Sequence, residues 1–328
     1  MSLNHPYRTL QVPSDAAFEL KPSPGKGWGV FARRRIERGA TILREKPLFV
    51  IQKPHQAIMG VDVRAAVQQL APSEKQQFLN LRDNGSRPFT RLTNALAENS
   101  FAVSVDPPAH GLFLLHSRFN HSCIPNCKIP TTSGAKEMIE SFAIRDIAAG
   151  EEITICYNTD FECRVRYERH QVLRFVCDCK ACLIDSPFQK LSDMRRTLIR
   201  GLQYLTRGVD VNGQRQGSVS SIIIDSKLKK AAENFSIPLS SRLIYDLLVM
   251  VLLEEEGLLD DFMVKRFNPG IVQTSAWFMT ESNARIARLA MTQKTWLEKF
   301  CMASRLYGRE DVADPTIAEG FRMLSLQP

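Results

Sequence analysis

Seven of the eight cysteines in this chain lie between positions 123 and 182, and none occurs before Cys123. The densest run is Cys177-Asp178-Cys179-Lys180-Ala181-Cys182, three thiols in six residues. A disulfide framework spreads its cysteines through a short secreted chain, whereas clustering inside a long one points to a metal. Three thiolates this close can face one ion, and a structural zinc closes its tetrahedron with a fourth donor. No histidine lies downstream, and the next cysteine is the remote Cys301. The fourth donor must therefore come from another segment, and spacing alone leaves Cys123, Cys127, Cys156 and Cys163 open. The plainer alternative is three buried, unligated thiols.

Nothing else about the chain demands such a staple. At 328 residues it can bury about three quarters of its unfolded surface. Its 44% hydrophobic and 24% charged residues are ordinary globular proportions, which excludes a disordered, collagenous or rod-like chain. The longest apolar run in the most apolar helical stretch is 247–253, ended by Glu254-Glu255-Glu256. A bilayer needs about 20 such residues. The first ten residues carry no apolar signal core. The expectation is a monomeric soluble protein of the cytoplasm or nucleus, with no membrane partner. The formal charge is +8, yet Arg33-Arg34-Arg35 is the only basic triplet and no basic stripe interleaves with aromatics, so specific nucleic-acid binding is not expected.

The periodicity changes along the chain. Residues 18–52 read as short strands and turns, including Gly25-Lys26-Gly27-Trp28-Gly29-Val30-Phe31-Ala32 with its alternate glycines. Residues 57–98 are rich in helix formers, broken at Asn84-Gly85-Ser86-Arg87-Pro88. Strand-like segments return at 101–105, 111–115, 139–144 and 152–157. From about 164 a helical period takes over, with Leu191, Met194, Leu198, Leu202 and Leu205 at steps of three and four. Later helical patterns run through Leu243, Leu247 and Val251 and through Ala287, Met291, Leu297 and Phe300, with a polar Gly/Ser stretch at 207–221. No long helices alternate with the strands, so the predicted class is α+β: small antiparallel sheets with a helical insertion, then an all-helical region. Glu254, Glu255 and Glu256 with Asp260 and Asp261 form an acidic segment, expected either as a solvated helix end or as a rim attracting a basic peptide.

Two further segments carry chemistry. Asn120-His121-Ser122-Cys123-Ile124-Pro125-Asn126-Cys127 places an amide and an imidazole in a proline-terminated turn, and Gly150-Glu151-Glu152-Ile153-Thr154-Ile155-Cys156-Tyr157 is an acidic turn feeding a strand that ends in tyrosine. Alone, His121 could equally be a core histidine and Tyr157 a packed aromatic. Together with residues 25–32 and the 177–182 cysteines, in this order, they resemble the SET-domain protein lysine methyltransferases. The branch with which the chain shares Asn99-Ser100-Phe101 and a helical C-terminal region looks SMYD-like. Residues 53–98 contain no cysteine, so the MYND zinc module of that branch is missing, as in fungal-type SET proteins.

The resemblance implies a SET domain over 1–187, with a helical insertion at about 53–98 and a post-SET zinc motif at about 164–187, followed by a helical domain over 188–328. It implies methyl transfer from S-adenosylmethionine to the ε-amine of a protein or peptide lysine, a histone among the candidates. The competing reading from another class is a catalytically weak SET-like scaffold that binds partners. Cofactor contacts would be Lys26, Gly27, Trp28, Asn99, Asn120, His121, Tyr157 and Phe175. Tyr157 would be the catalytic side chain and Phe101 a wall of the substrate channel. One structural zinc would be held by Cys123, Cys177, Cys179 and Cys182.

Overall fold

The computed structural model describes residues 5–83, 87–130, 138–173, 175–207 and 242–267. The polar stretch at 208–221 and the helical pattern expected over 287–300 lie outside the described residues. Chain contacts separate a unit ending at Cys156 from one beginning at Tyr157.

Among the described residues the first unit contains twelve short strands: β1 (Phe18–Ser23), β2 (Gly27–Ala32), β3 (Thr41–Glu45), β4 (Phe49–Ile51), β5 (Arg82–Asp83), β6 (Arg87–Pro88), β7 (Ser100–Val105), β8 (Pro108–Leu112), β9 (Asn120–His121), β10 (Cys127–Lys128), β11 (Ile139–Ala143) and β12 (Glu152–Ile155). Three helices, α1 (Gly60–Gln68), α2 (Pro72–Leu79) and α3 (Leu92–Asn99), fall between β4 and β7. The strands form sheets in the orders β1-β2-β12-β9, β10-β11-β3, β4-β8-β7 and β5-β6. Every pairing is antiparallel except β12 with β9. The α+β class expected from the alternating periods is the observed one.

Local chemistry explains the elements. The β1–β2 hairpin turns at Gly25 (φ 73°) and Gly27 (φ 79°), a left-handed backbone that glycine adopts without a Cβ clash. The Lys26 amide closes the turn on the Ser23 carbonyl at 3.1 Å. β11 buries Ile139, Ser141 and Ala143 and leaves the residues between them half-buried, the period-two pattern of a strand with one face on a core. The Asp62 carboxylate receives the Met59 amide at 2.8 Å and Glu74 receives that of Ala71 at 2.9 Å, so α1 and α2 begin with an acidic side chain satisfying an orphan donor. The expected break inside the insertion is the two-stranded pairing of β5 with β6. Val30, Leu112, Ile147 and Ile153, all fully buried, anchor the main core.

In the second unit, α4 (Arg166–Leu173) precedes the cysteine run, and α5 (Pro187–Arg207), α6 (Arg242–Glu256) and α7 (Asp261–Val264) follow it. The leucine stripe expected on α5 is only part of its buried face. Leu198 and Leu202 are buried, but so are Ser192, Arg195, Arg196 and Ile199. Both guanidiniums turn to Glu256 at the end of α6. Arg196 pairs with it at 2.9 Å and Arg195 at 3.4 Å, and the Ser192 hydroxyl donates to the same carboxylate. Both expectations for the acidic segment, a solvated helix end and an acidic rim, are therefore corrected at two positions. Glu256 is fully buried, drawn in by two buried cations, and Asp260, also buried, caps α7 by accepting from the Phe262 and Met263 amides at 2.8 Å each.

Breaking a buried pair strands the remaining charge and costs about 3–5 kcal/mol. Glu256→Gln is expected to destabilise the helical unit by that amount in urea unfolding of the whole chain. A change below about 1 kcal/mol would show that the arginines find other partners.

Candidate functional site

Three of the segments singled out in the sequence become neighbours in one sheet. β12 lies between β2 and β9, with Glu152 opposite Phe31 and Ile153 opposite Val30 on one side. Thr154 is opposite Asn120 and Ile155 opposite His121 on the other. The turn after β9 is fastened to the same strand. The Ser122 amide donates to the Ile155 carbonyl at 3.0 Å, and buried Asn126 donates to the Glu152 carbonyl and accepts from the Thr154 amide, both at 2.8 Å. Pairing along the backbone thus brings together residues separated by more than a hundred positions.

The side chains at the head of this sheet form one polar group. The Asn120 amide donates to the Trp28 carbonyl at 3.2 Å and to the Glu152 carboxylate at 2.7 Å. The Lys26 ammonium lies 3.7 Å from that carboxylate. Gly29 permits the approach: a Cβ there would sit 2.4 Å from Glu152 Oε1 and 2.8 Å from Asn120 Nδ2. The Trp28 ring is buried, with His5 stacked on it at 4.7 Å and Tyr7 edge-on at 6.3 Å. Tyr7 is fixed in turn by the Arg82 backbone, whose amide donates to its hydroxyl at 2.8 Å. One ammonium, one carboxylate, one amide and a backbone carbonyl complement an amino-acid headgroup, which itself carries one charge of each sign. That donor set fits the methionine end of S-adenosylmethionine.

The other expected site residues fall as follows. His121 is buried, and its Nε2 lies 3.3 Å from Cys123 Sγ. Tyr157 and Phe175, both about half exposed, meet edge to face with ring centres 6.4 Å apart. Phe101 packs edge-on against Phe113 and His116. Asn99 is buried, its amide donating to the Ala95 carbonyl at 2.8 Å and its oxygen accepting from Arg118.

Among the described residues, one group of side chains has the composition of a metal centre. The sulfurs of Cys123, Cys177, Cys179 and Cys182 lie within 4.8 Å of one another, Cys179 half-buried and the others buried. A tetrahedral zinc with bonds of about 2.3 Å spaces its sulfurs at roughly 3.8 Å. Contraction of about 1 Å would close the shell, and four soft donors suit this ion. Cys127 and Cys163 are not part of this group, and burial pushes both thiols up to about 12.

Sequence reasoning overlooked Glu45. Its carboxylate receives the backbone amides of Leu114, Leu115 and His116 and the His116 imidazole, each at 2.8 Å, which fixes the chain just before β9. A lone glutamate at the end of a strand gives no local sign of such a task. Glu152 was legible only as part of an acidic turn.

Comparison with known proteins bears on the same segments. The SET domain family model matches residues 27–158. Histone-lysine N-methyltransferase set5 of Schizosaccharomyces pombe is 30% identical over 206 residues, covering 58% of this chain and 57% of that protein. Protein-lysine N-trimethyltransferase SMYD5 of Danio rerio is 41% identical over 81 residues, 22% of this chain and 19% of that one. Its Homo sapiens counterpart is 39% identical over 84 residues, 23% and 19%. The chain thus spans little more than half the length of the fission-yeast relative and about a fifth of each SMYD5 protein. The segments that β12 joins into one sheet are the ones the family model spans, so residues 27–158 of this chain are similar to the SET domain.

Proposed function

We propose that the chain transfers a methyl group from S-adenosylmethionine to a lysine ε-amine of a protein, in the nucleus or cytoplasm, and that one structural zinc organises the site. The observation that carries the reading is the adjacency of β2, β9 and β12, with Lys26, Asn120, Glu152 and the Trp28 carbonyl converging at its head. The names of the relatives, histone-lysine and protein-lysine methyltransferases, support the substrate class.

When bound, S-adenosylmethionine supplies an electrophilic methyl group on a positively charged sulfur. Lys26, Gly27, Trp28, Asn120 and His121 would hold its amino-acid and adenine parts, with Phe175 covering the adenine. Asn99 would act from behind, through Arg118. The substrate amine must arrive neutral. A free lysine has a pKa near 10.4, so losing its proton at pH 7 costs about 4–5 kcal/mol. A narrow apolar channel with Phe101 as one wall would disfavour the ammonium through desolvation, which lowers this cost. Alignment of amine and methyl can contribute up to about 7–11 kcal/mol, so positioning outweighs deprotonation. The Tyr157 hydroxyl would orient the amine.

The direct test is transfer of labelled methyl from S-adenosylmethionine into lysate proteins, followed by mass spectrometry of the labelled residues. Methyl-lysine is expected, and its absence with intact cofactor binding would favour the scaffold reading. Gly29→Ala separates the site from the fold. Both clashing atoms end flexible side chains, so the stability loss is expected within the 1–3 kcal/mol typical of mild overpacking. Displacing Asn120 and Glu152 is expected to weaken cofactor binding about tenfold or more, equivalent to about 1.4 kcal/mol. Wild-type affinity in calorimetry would remove these two residues from the cofactor site.

A further inference from the structure

The cysteine run is held by one short helix. Three residues of α4 reach it: the His170 Nε2 accepts from the Cys177 amide at 3.3 Å, Arg166 Nε donates to the Cys182 carbonyl at 2.7 Å, and Arg169 reaches the same loop from the next position. Arg169 is the unusual member. Its side chain is fully buried. One guanidinium nitrogen donates to the Arg164 carbonyl at 2.6 Å; the other donates to the Ala181 carbonyl at 2.9 Å and to Cys182 Sγ at 3.3 Å. Asp193 on α5 lies 3.5 Å away, about a quarter exposed, and is already bonded to the Arg166 amide at 2.7 Å and to Gln189 at 2.6 Å.

A buried cation is costly unless it is paired and its donors are satisfied. Fully buried Arg196 in the same unit meets this requirement with a buried carboxylate at 2.9 Å. Arg169 makes a longer contact to the partly exposed Asp193, and one of its donors goes to a sulfur. A neutral thiol would offer little in return. A zinc ion with four thiolates carries a formal charge of −2, and a guanidinium beside one sulfur offsets part of it while making a charge-assisted N–H···S bond. Residues around a metal's ligands commonly alter its affinity by 10–100-fold when removed.

We infer that Arg169 is a positioning residue of the metal centre: a buried cation that acts through Cys182 to tighten zinc binding by a four-cysteine site. The inference rests on the zinc reading above and adds what distinguishes this site from a bare cysteine cluster. Arg169 also ties α4 to the loop that carries the ligands, so the metal and the helix hold one another. Its planar fork reaches a carbonyl and a sulfur with one nitrogen, a geometry that a lysine ammonium does not reproduce.

The experiment is competition for zinc between a chromophoric chelator and the full-length protein, as wild type, Arg169→Met, Arg169→Lys and Arg200→Met. Arg200→Met is the control. It removes a different α4–α5 tie, the 2.8 Å pair with Glu168. Arg169→Met is expected to raise the zinc Kd 10–100-fold, Arg169→Lys to fall between it and wild type, and Arg200→Met to match wild type. In cobalt-substituted protein the thiolate-to-metal charge-transfer band of Arg169→Lys is expected to shift, since the N–H···S bond changes while the charge remains. If Arg169→Met and Arg200→Met bind zinc as tightly as wild type, the inference fails. If Arg169→Met does not fold, Arg169→Lys decides, and an unchanged Kd with an unchanged cobalt band overturns it. Wild-type protein that takes up no zinc overturns both this inference and the metal reading beneath it.

Discussion

Cys179→Ser is expected to reduce bound zinc from one equivalent per chain to none and to lower the melting temperature sharply. Structural zinc in small thiolate sites binds with apparent energies of about 10–16 kcal/mol at pH 7, and that energy is coupled to folding. Losing even about 4 kcal/mol would lower Tm by roughly 8–16 °C, at 2–4 °C per kcal/mol for a unit of 150–250 residues. The four sulfurs lie within 4.8 Å of one another, so removing one leaves three thiolates and only a weaker oxygen donor, water or the serine hydroxyl, for the fourth position. The contrasting variant is Cys163→Ala. Its thiol lies outside the four-sulfur group and donates to the Asp160 carbonyl at 3.1 Å, so its loss should leave the metal in place. Elemental analysis and calorimetric melting of both variants provide the check. Unchanged zinc in Cys179→Ser would sink the ligand assignment, and more than one equivalent in the wild type would reveal a second site.

Tyr157→Phe is expected to lower the rate of methyl transfer by about 10²–10³, the range seen when one hydrogen-bonding group that faces transition-state charge is removed. Cofactor affinity should stay within about twofold. The reason for the split is geometric. The tyrosine ring packs edge-on to Phe175 at 6.4 Å, and phenylalanine preserves that contact, whereas the hydroxyl is the part assigned to the reacting amine. An interaction made mainly in the transition state appears in turnover rather than in binding. Calorimetric titration with S-adenosylmethionine beside a labelled-methyl assay separates the two. Wild-type turnover in the variant would remove Tyr157 from the chemistry. Equal loss of binding and turnover would make it a structural element of the cofactor pocket.

The amino-acid sequence by itself determined the local pieces. Alternating apolar residues and glycines with positive φ set β1, β2 and the turn between them, because only glycine takes that backbone without strain. Acidic residues placed to receive orphan amides set the starts of α1 and α2. Three thiols within six residues mark a metal-capable loop. The ordered motifs around Gly27, Asn120 and Tyr157 pointed to the SET domain that the family comparison matches over residues 27–158.

Only the tertiary structure decided what those pieces touch. β12 enters between β2 and β9, and a pairing between distant strands leaves no local periodic trace. Glu45 gained its four donors because the 114–116 backbone passes its carboxylate, and nothing within a few residues of Glu45 encodes that passage. Hydropathy marks charged residues for solvent, so Glu256, Arg196 and Arg169 all read as surface groups. Each is buried because another segment supplies the opposite charge, the carbonyls or the sulfur that its desolvation requires.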